Sequence, residues 1–248
     1  MRKSKKLGII GGMGSRACSL FFNKVIDYCP AVKDQDFIEV IIHNNTAIPD
    51  RTRAILHNEP SPLKEIVRSI QLLDQSNVDL MVLTCNTSYY YYDEFSKYAV
   101  AKILHPVELV RQHVQENNFS KVGLLATSGT ISSGIYHREF HKHGLPVLTL
   151  NEEEQEALFM LSVYMENGLK SSNISKRAIR LMQRAMNRLL EMGADAIIAG
   201  CTEVPLALNQ DNVPVPFIDP MDILAKAVIT ECYEKLTPVI PVPALIAV

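Results

Sequence analysis

At 248 residues the chain is long enough to bury a full core, as one α/β domain or as two smaller lobes. Its 47% apolar and 21% charged residues match a soluble globular protein, and a formal net charge of −2 argues against a binder of nucleic acid or of an anionic membrane, which needs a basic excess. The expected partners are small molecules or other proteins.

The basic start MRKSKK is followed only by the short apolar run Leu7 to Ile10, far briefer than the core of a signal peptide. No stretch approaches the ~18 to 20 apolar residues of a membrane span, so a cytoplasmic protein is expected. The cysteines at 18, 29, 85, 201 and 232 are odd in number and form no C-x-x-C pair. Reduced thiols are expected, with neither a disulfide framework nor a thiolate zinc site.

Leu7 to Ile10 reads as a buried strand running into Gly11-Gly12-Met13-Gly14, and Ala17 to Tyr28 as a helix. Phe37 to His43 predicts a second strand. Asn44 to Arg53 reads as a loop around Pro49-Asp50, and Ser61-Pro62 as the start of a helix reaching about Gln75. The strand from Val78 then breaks into Thr84-Cys85-Asn86-Thr87, which opens a helical aromatic segment, Tyr89 to Tyr92. Further on, a helix is expected from Val107 to Glu116, a strand at Val122 to Ala126, a helix from Gly134 to His143 and a strand at Val147 to Leu150. Helices at Glu153 to Glu166 and Ile174 to Met192 lead into the strand before Cys201. Alternating short strands and helices predict mostly parallel sheets covered on both faces.

The halves share a register. Leu7-Gly8-Ile9-Ile10 stands about 115 positions before Val122-Gly123-Leu124-Leu125, and Asp79 and Cys85 stand 116 before Asp195 and Cys201. Two related α/β lobes are expected, residues 1–105 with 219–236 forming the first and 106–218 the second. Ligands bind beyond the carboxyl ends of the strands in such sheets, so facing lobes would bring both thiols to one cleft.

Two such sulfurs suit the removal of a proton from one face of a carbon and its return to the other, a thiolate serving as base and a thiol as acid. A position after a strand and at a helix start would help to poise each sulfur, and Asn86, Thr87 and Thr202 offer donors beside it. Two inert core cysteines are the competing reading, weakened by the repeated context. Gly12-x-Gly14-x-x-Ala17 fits the loose dinucleotide fingerprint, but the second strand ends in His43-Asn44-Asn45 without the acid that binds a ribose, which argues against NAD. His137 and His141 stand at helical i, i+4 spacing with no acid or cysteine to complete a metal site, so a solvated helix face is expected. Arg177, Arg180, Arg184 and Arg188 read as a solvent-facing or paired stripe. The apolar tail 237–248 is expected to pack on its own lobe or on a neighbouring subunit.

At GIIGGMG (Gly8 to Gly14), NNTAIPDRT (Asn44 to Thr52), CNT (Cys85 to Thr87), LLATSGT (Leu124 to Thr130) and GCTE (Gly200 to Glu203), the sequence resembles the aspartate/glutamate racemase family over roughly residues 7 to 236. The resemblance implies a pair of pseudo-symmetric Rossmann-like lobes, often assembled as a homodimer, with the active site between them. It further implies two-base racemisation of a small amino acid without pyridoxal phosphate or metal. Cys85 and Cys201 match the catalytic cysteines. Met13, Arg51, Asn86, Thr87, Thr127, Thr130 and Thr202 match substrate positions, Arg51 being the one expected to meet a side-chain carboxylate. The chain departs from the family at Ser15 and Cys18, at Ser88-Tyr89 where many relatives have Ala-His, and at Glu166, which an ungapped match puts where acidic-substrate members carry a lysine; either Lys170, just beyond, takes that place through a local shift, or the substrate preference is not strictly acidic. Another cysteine-dependent carbon-acid enzyme, such as a maleate isomerase or a decarboxylase, is the alternative, and a catalytically silent ligand-binding relative is a third reading.

Overall fold

A computed structural model describes residues 4–233, so the apolar tail and residues 234–236 lie outside the described residues. Eight short strands form two parallel four-stranded sheets with the same internal order. The first is β2-β1-β3-β4, from β1 (Leu7–Gly11), β2 (Val40–Asn44), β3 (Leu80–Leu83) and β4 (Lys102–Ile103). The second is β6-β5-β7-β8, from β5 (Val122–Leu124), β6 (Val147–Leu148), β7 (Ala196–Ile198) and β8 (Phe217–Ile218). The chain is thus an α/β protein of two lobes.

The central strands are apolar throughout because helices cover both faces of each sheet. Every residue of β1, β3, β5 and β7 is buried. The covering helices show the matching period: Leu63–Gln75 buries Ile66, Ser69, Ile70 and Leu73, and Lys176–Glu191 buries Ala178, Leu181, Met182, Ala185, Met186 and Leu189. Arg177, Arg180 and Arg184 occupy the opposite, exposed face of the second helix, and Arg188 pairs with Glu154 and Glu191. The helix Pro220–Tyr233 returns to the first sheet, where Leu224 and Val228 join Leu7, Ile9, Phe21 and Val82 in one core.

The offset of about 115 positions has a physical counterpart. Leu7 lies beside Leu80 in one sheet, and Val122 beside Ala196 in the other. Ahead of β3, Asp79 accepts from the Lys6 amide at 2.7 Å and returns its own amide to the Lys6 carbonyl. Ahead of β7, Asp195 does the same with Lys121. The same carboxylate clasp fixes the start of the strand that leads to each thiol.

Three local expectations are corrected. The segment after Cys85 is a 3₁₀ helix, Asn86–Tyr91, followed by a single α turn, Tyr92–Phe95. Three residues per turn superimpose i and i+3, and Tyr89 and Tyr92 accordingly stack at 6.1 Å and 20°. After Cys201 comes only a 3₁₀ turn, Val204–Leu206. Neither thiol therefore stands at the head of a full helix. A helix also forms at Arg51–His57, capped by Asp50, at the end of the segment expected as a loop, and another at Ser128–Ser133, capped by Thr127, where no element is expected. The two are packed so closely that a Cβ on Gly129 would come within 2.7 Å of the Thr52 Cα.

Candidate active site

β3 ends at Leu83, and the Thr84 amide still donates to the Ile10 carbonyl at 3.1 Å, which carries Cys85 just past the sheet edge. β7 ends at Ile198, and Ala199-Gly200 carry Cys201 to the corresponding edge of the second sheet. A Cβ on Gly200 would meet the Leu124 Cδ1 at 2.6 Å, so only glycine lets this loop lie so close to its own sheet. The loop after β1 makes the third wall. Gly12 has φ +87°, and a Cβ there would sit 2.2 Å from the Asn45 backbone, so Met13 reaches the cleft only because residue 12 lacks a side chain.

The two sulfurs share one small cavity of about 20 Å³. From the first lobe it is lined by Met13, Arg51, Thr52, Cys85, Asn86 and Thr87, and from the second by Thr127, Tyr164, Lys170 and Gly200 to Glu203. Such a volume holds about one water.

Eight of the ten residues singled out in the sequence line this cavity: Cys85, Cys201, Met13, Arg51, Asn86, Thr87, Thr127 and Thr202. Thr130 stands directly behind, its hydroxyl 2.7 Å from that of Thr87 and 3.1 Å from that of Thr127. Thr52 donates to Thr127 at 3.2 Å, so these hydroxyls join the lobes across the cleft. Asn86 makes a second link, its Nδ2 donating to the Gly200 carbonyl at 3.1 Å, while its Oδ1 is buried without a partner.

Glu166 is the exception. It is exposed and lies outside the cavity wall. The helix Leu161–Tyr164 ends there, and Asn167 turns the chain at φ 56°. The Leu169 and Lys170 amides then bond back to the Ser162 and Val163 carbonyls. This turn leaves Glu166 on the outside and sets Lys170 beside Tyr164, with Nζ 4.6 Å from the ring centre. Ser88 and Tyr89 are likewise absent from the wall. Ser88 Oγ donates to the Cys85 carbonyl at 2.6 Å, and the buried Tyr89 hydroxyl accepts from the Leu83 amide and donates to the Leu104 carbonyl. Their departure from the family pattern is absorbed by the core, not by the cavity.

The two sulfurs face opposite charges. Arg51 is buried, with Nη2 donating to the Met13 carbonyl at 2.8 Å and Nη1 to the Pro49 carbonyl at 3.0 Å. Burial works against its charge, and Cys85 followed by Asp50 more than offsets this. Cys201 instead donates to the Glu203 carboxylate at 3.0 Å, an oxygen that the Thr202 hydroxyl also reaches at 3.2 Å. Burial first, and Glu203 second, push the Cys201 thiol well above its usual range, with Lys170 opposing only in part. Lys170 is held above the usual amine range: burial lowers it, and Glu203, Tyr164 and Cys201 outweigh that. Side chains, and not helix termini, therefore polarise this pair.

Glu203, Tyr164 and Thr52 line the site without a sequence assignment to it, and Lys170, one of the two alternatives at the family lysine position, lines it as well. An acid two residues from a thiol was the available signal for Glu203. Among the described residues, no three His, Cys, Asp or Glu side chains converge as a metal site requires, and no helix is long and apolar enough to cross a membrane.

The model of the Asp/Glu/Hydantoin racemase family matches residues 10–228. The broad specificity amino-acid racemase RacX of Bacillus subtilis (strain 168) is 28% identical over 228 residues, which cover 90% of this chain and 96% of that one. Among solved structures, the aspartate racemase of Picrophilus torridus superposes with a TM-score of 0.80 at 28% identity, covering 91% of this chain and 93% of that one. The glutamate racemase isoform RacE1 of Bacillus anthracis shares the fold alone, with a TM-score of 0.65 at 17% identity over 93% of this chain and 82% of that one. The chain belongs to the Asp/Glu/Hydantoin racemase family.

Proposed function

We propose that the protein is a cofactor-independent amino-acid racemase in which Cys85 and Cys201 exchange the Cα proton of aspartate, glutamate or a broader set of amino acids. The observation that carries this reading is the placement of two thiols, from equivalent strands of two lobes, in one cavity with a cation beside the first and a carboxylate beside the second. The charge partners assign the roles. Cys85, which faces the Arg51 guanidinium, is read as the base in one direction, and Cys201, which donates to the Glu203 carboxylate, as the acid.

In one direction the Cys85 sulfur takes the proton from Cα, leaving the electron pair on carbon, where it delocalises into the substrate α-carboxylate. Cys201 then delivers its proton to the opposite face and becomes the thiolate, so that charge and protons balance without an oxidant. Charge that builds up on the carboxylate meets hydroxyl donors from Thr87 and Thr127 and the positive field of Arg51 and Lys170. The unpartnered Oδ1 of Asn86 is an acceptor suited to the substrate ammonium. Two cations in the wall agree with substrates that carry a second carboxylate, and the broad specificity of the RacX relative extends the range to test. Incubation with single L-amino acids followed by chiral chromatography tests the reading; formation of no D-isomer from any of them would sink it.

Glu203 opposes ionisation of Cys201, so its charge helps to set the alkaline limit of activity. Glu203→Gln removes that opposition, and the alkaline limb of the rate in the direction where Cys85 is the base is expected to move to lower pH. The measurement is the initial rate across the neutral and alkaline range. A limb that stays in place or moves upward contradicts the role given to Glu203.

A further inference from the structure

The catalytic cavity of about 20 Å³ lies beside a far larger cleft of about 700 Å³. Tyr164 lines both. Leu56, Ile131, Leu150 and Met160 supply apolar surface to the cleft. One wall is a π-helical stretch, Gln155–Met160, a rare geometry that recurs at functional sites. It is tied to the loop that carries Thr127. Gln155 Nε2 donates to the Ala126 carbonyl at 2.9 Å, and Ser128 Oγ donates to the Glu156 carboxylate at 2.7 Å. The cleft and the cavity thus share Thr52 and Tyr164, and the loop that carries Thr127 is braced by the wall of the cleft.

Tyr164 is placed as a partition and not as a core residue. It is 44% exposed, although it lines the cavity of the two thiols. The Lys170 ammonium lies over its ring, the cation–π arrangement that holds an aromatic side chain in one orientation. We propose that Tyr164 is a specificity-determining residue: the ring limits the length of the substrate side chain, and the cleft beyond it, whose wall includes Leu56, Ile131, Leu150 and Met160 among polar residues, accepts a long apolar side chain when the ring is removed. This rests on the racemase reading above.

The test compares exchange of the Cα proton with solvent deuterium for alanine and for leucine, in the wild type, Tyr164→Phe, Tyr164→Ala, and Tyr164→Ala combined with Ser132→Trp. Ser132 is an exposed residue of the cleft wall, so tryptophan there refills the cleft without entering the cavity. The leucine-to-alanine ratio is expected to stay at the wild-type value in Tyr164→Phe, to rise by roughly tenfold or more in Tyr164→Ala, and to fall back in the double variant. A ratio that does not rise in Tyr164→Ala overturns the partition, as does loss of exchange with both amino acids, which would mean that the ring is needed for the chemistry itself. A rise that the double variant leaves intact overturns the cleft as the receiving space. If the wild type exchanges neither these nor any other amino acid, the racemase reading itself fails, whereas wild-type exchange with an unaltered ratio removes the partition alone.

Discussion

Cys85→Ser and Cys201→Ser are each expected to lower racemisation by about 10²- to 10⁴-fold, the range that a positioned acid or base contributes, while the fold persists. The substitution exchanges one small polar atom for another in a wall that both residues only line. Serine keeps the shape and loses the acidity: a hydroxyl gives up its proton far less readily than a thiol does. Each variant should therefore lose turnover in both directions, because every full racemisation uses both groups. The measurement is chiral chromatography of either enantiomer, with thermal unfolding as the control for structure. Full racemisation surviving loss of Cys201 would point to a single-base enzyme, and activity dependent on Cys85 alone would favour a decarboxylase-like relative.

Arg51→Met is expected to give the second-largest loss, about 10²- to 10³-fold in kcat/KM, as removal of one preorganised charge donor does elsewhere. Two consequences combine. Cys85 loses the cation that faces it, and the Met13 and Pro49 carbonyls lose their donors at 2.8 and 3.0 Å. The buried Met13 carbonyl left unpaired costs about 1–3 kcal/mol and the half-buried Pro49 carbonyl less, so the urea midpoint should fall as well. Arg51→Lys preserves the charge but not the fork that reaches both carbonyls. It is expected to recover part of the activity and less of the stability. Equal losses in both variants would show that the fork, and not the charge, is what the site needs.

Much of this arrangement was legible because the sequence repeats it. The offset between Cys85 and Cys201 reflects two sheets of identical order, and Asp79 and Asp195 close the same clasp before each thiol strand. The apolar runs of β1, β3 and β7 identified the sheet centres because burial on both faces leaves no polar position in them. Short-range geometry was less visible. A four-tyrosine segment follows helical periodicity on paper, yet its rings pack as a 3₁₀ turn. Glu166 lies outside the cavity wall and Lys170 lines it because the chain turns at the left-handed Asn167, and residue spacing does not reveal a backbone angle. Tyr164 and Lys170 reach the thiols only through that fold of the chain, far in sequence from Cys85. Glu203 was passed over although it adjoins Cys201, since an acid near a thiol can as readily face solvent; here it is 6% exposed and accepts the thiol proton.

The central claim is that two different sulfurs serve the two faces of Cα. Early-time racemisation in D2O addresses it most directly, with mass and chirality of both enantiomers followed before much substrate is consumed. Two bases predict that the newly formed enantiomer carries deuterium at Cα from its first appearance while the remaining substrate stays almost entirely protiated, because the proton taken by Cys85 is not the one delivered by Cys201. Product that retains the original proton, or recovered substrate labelled as fast as product, would contradict the two-thiol account.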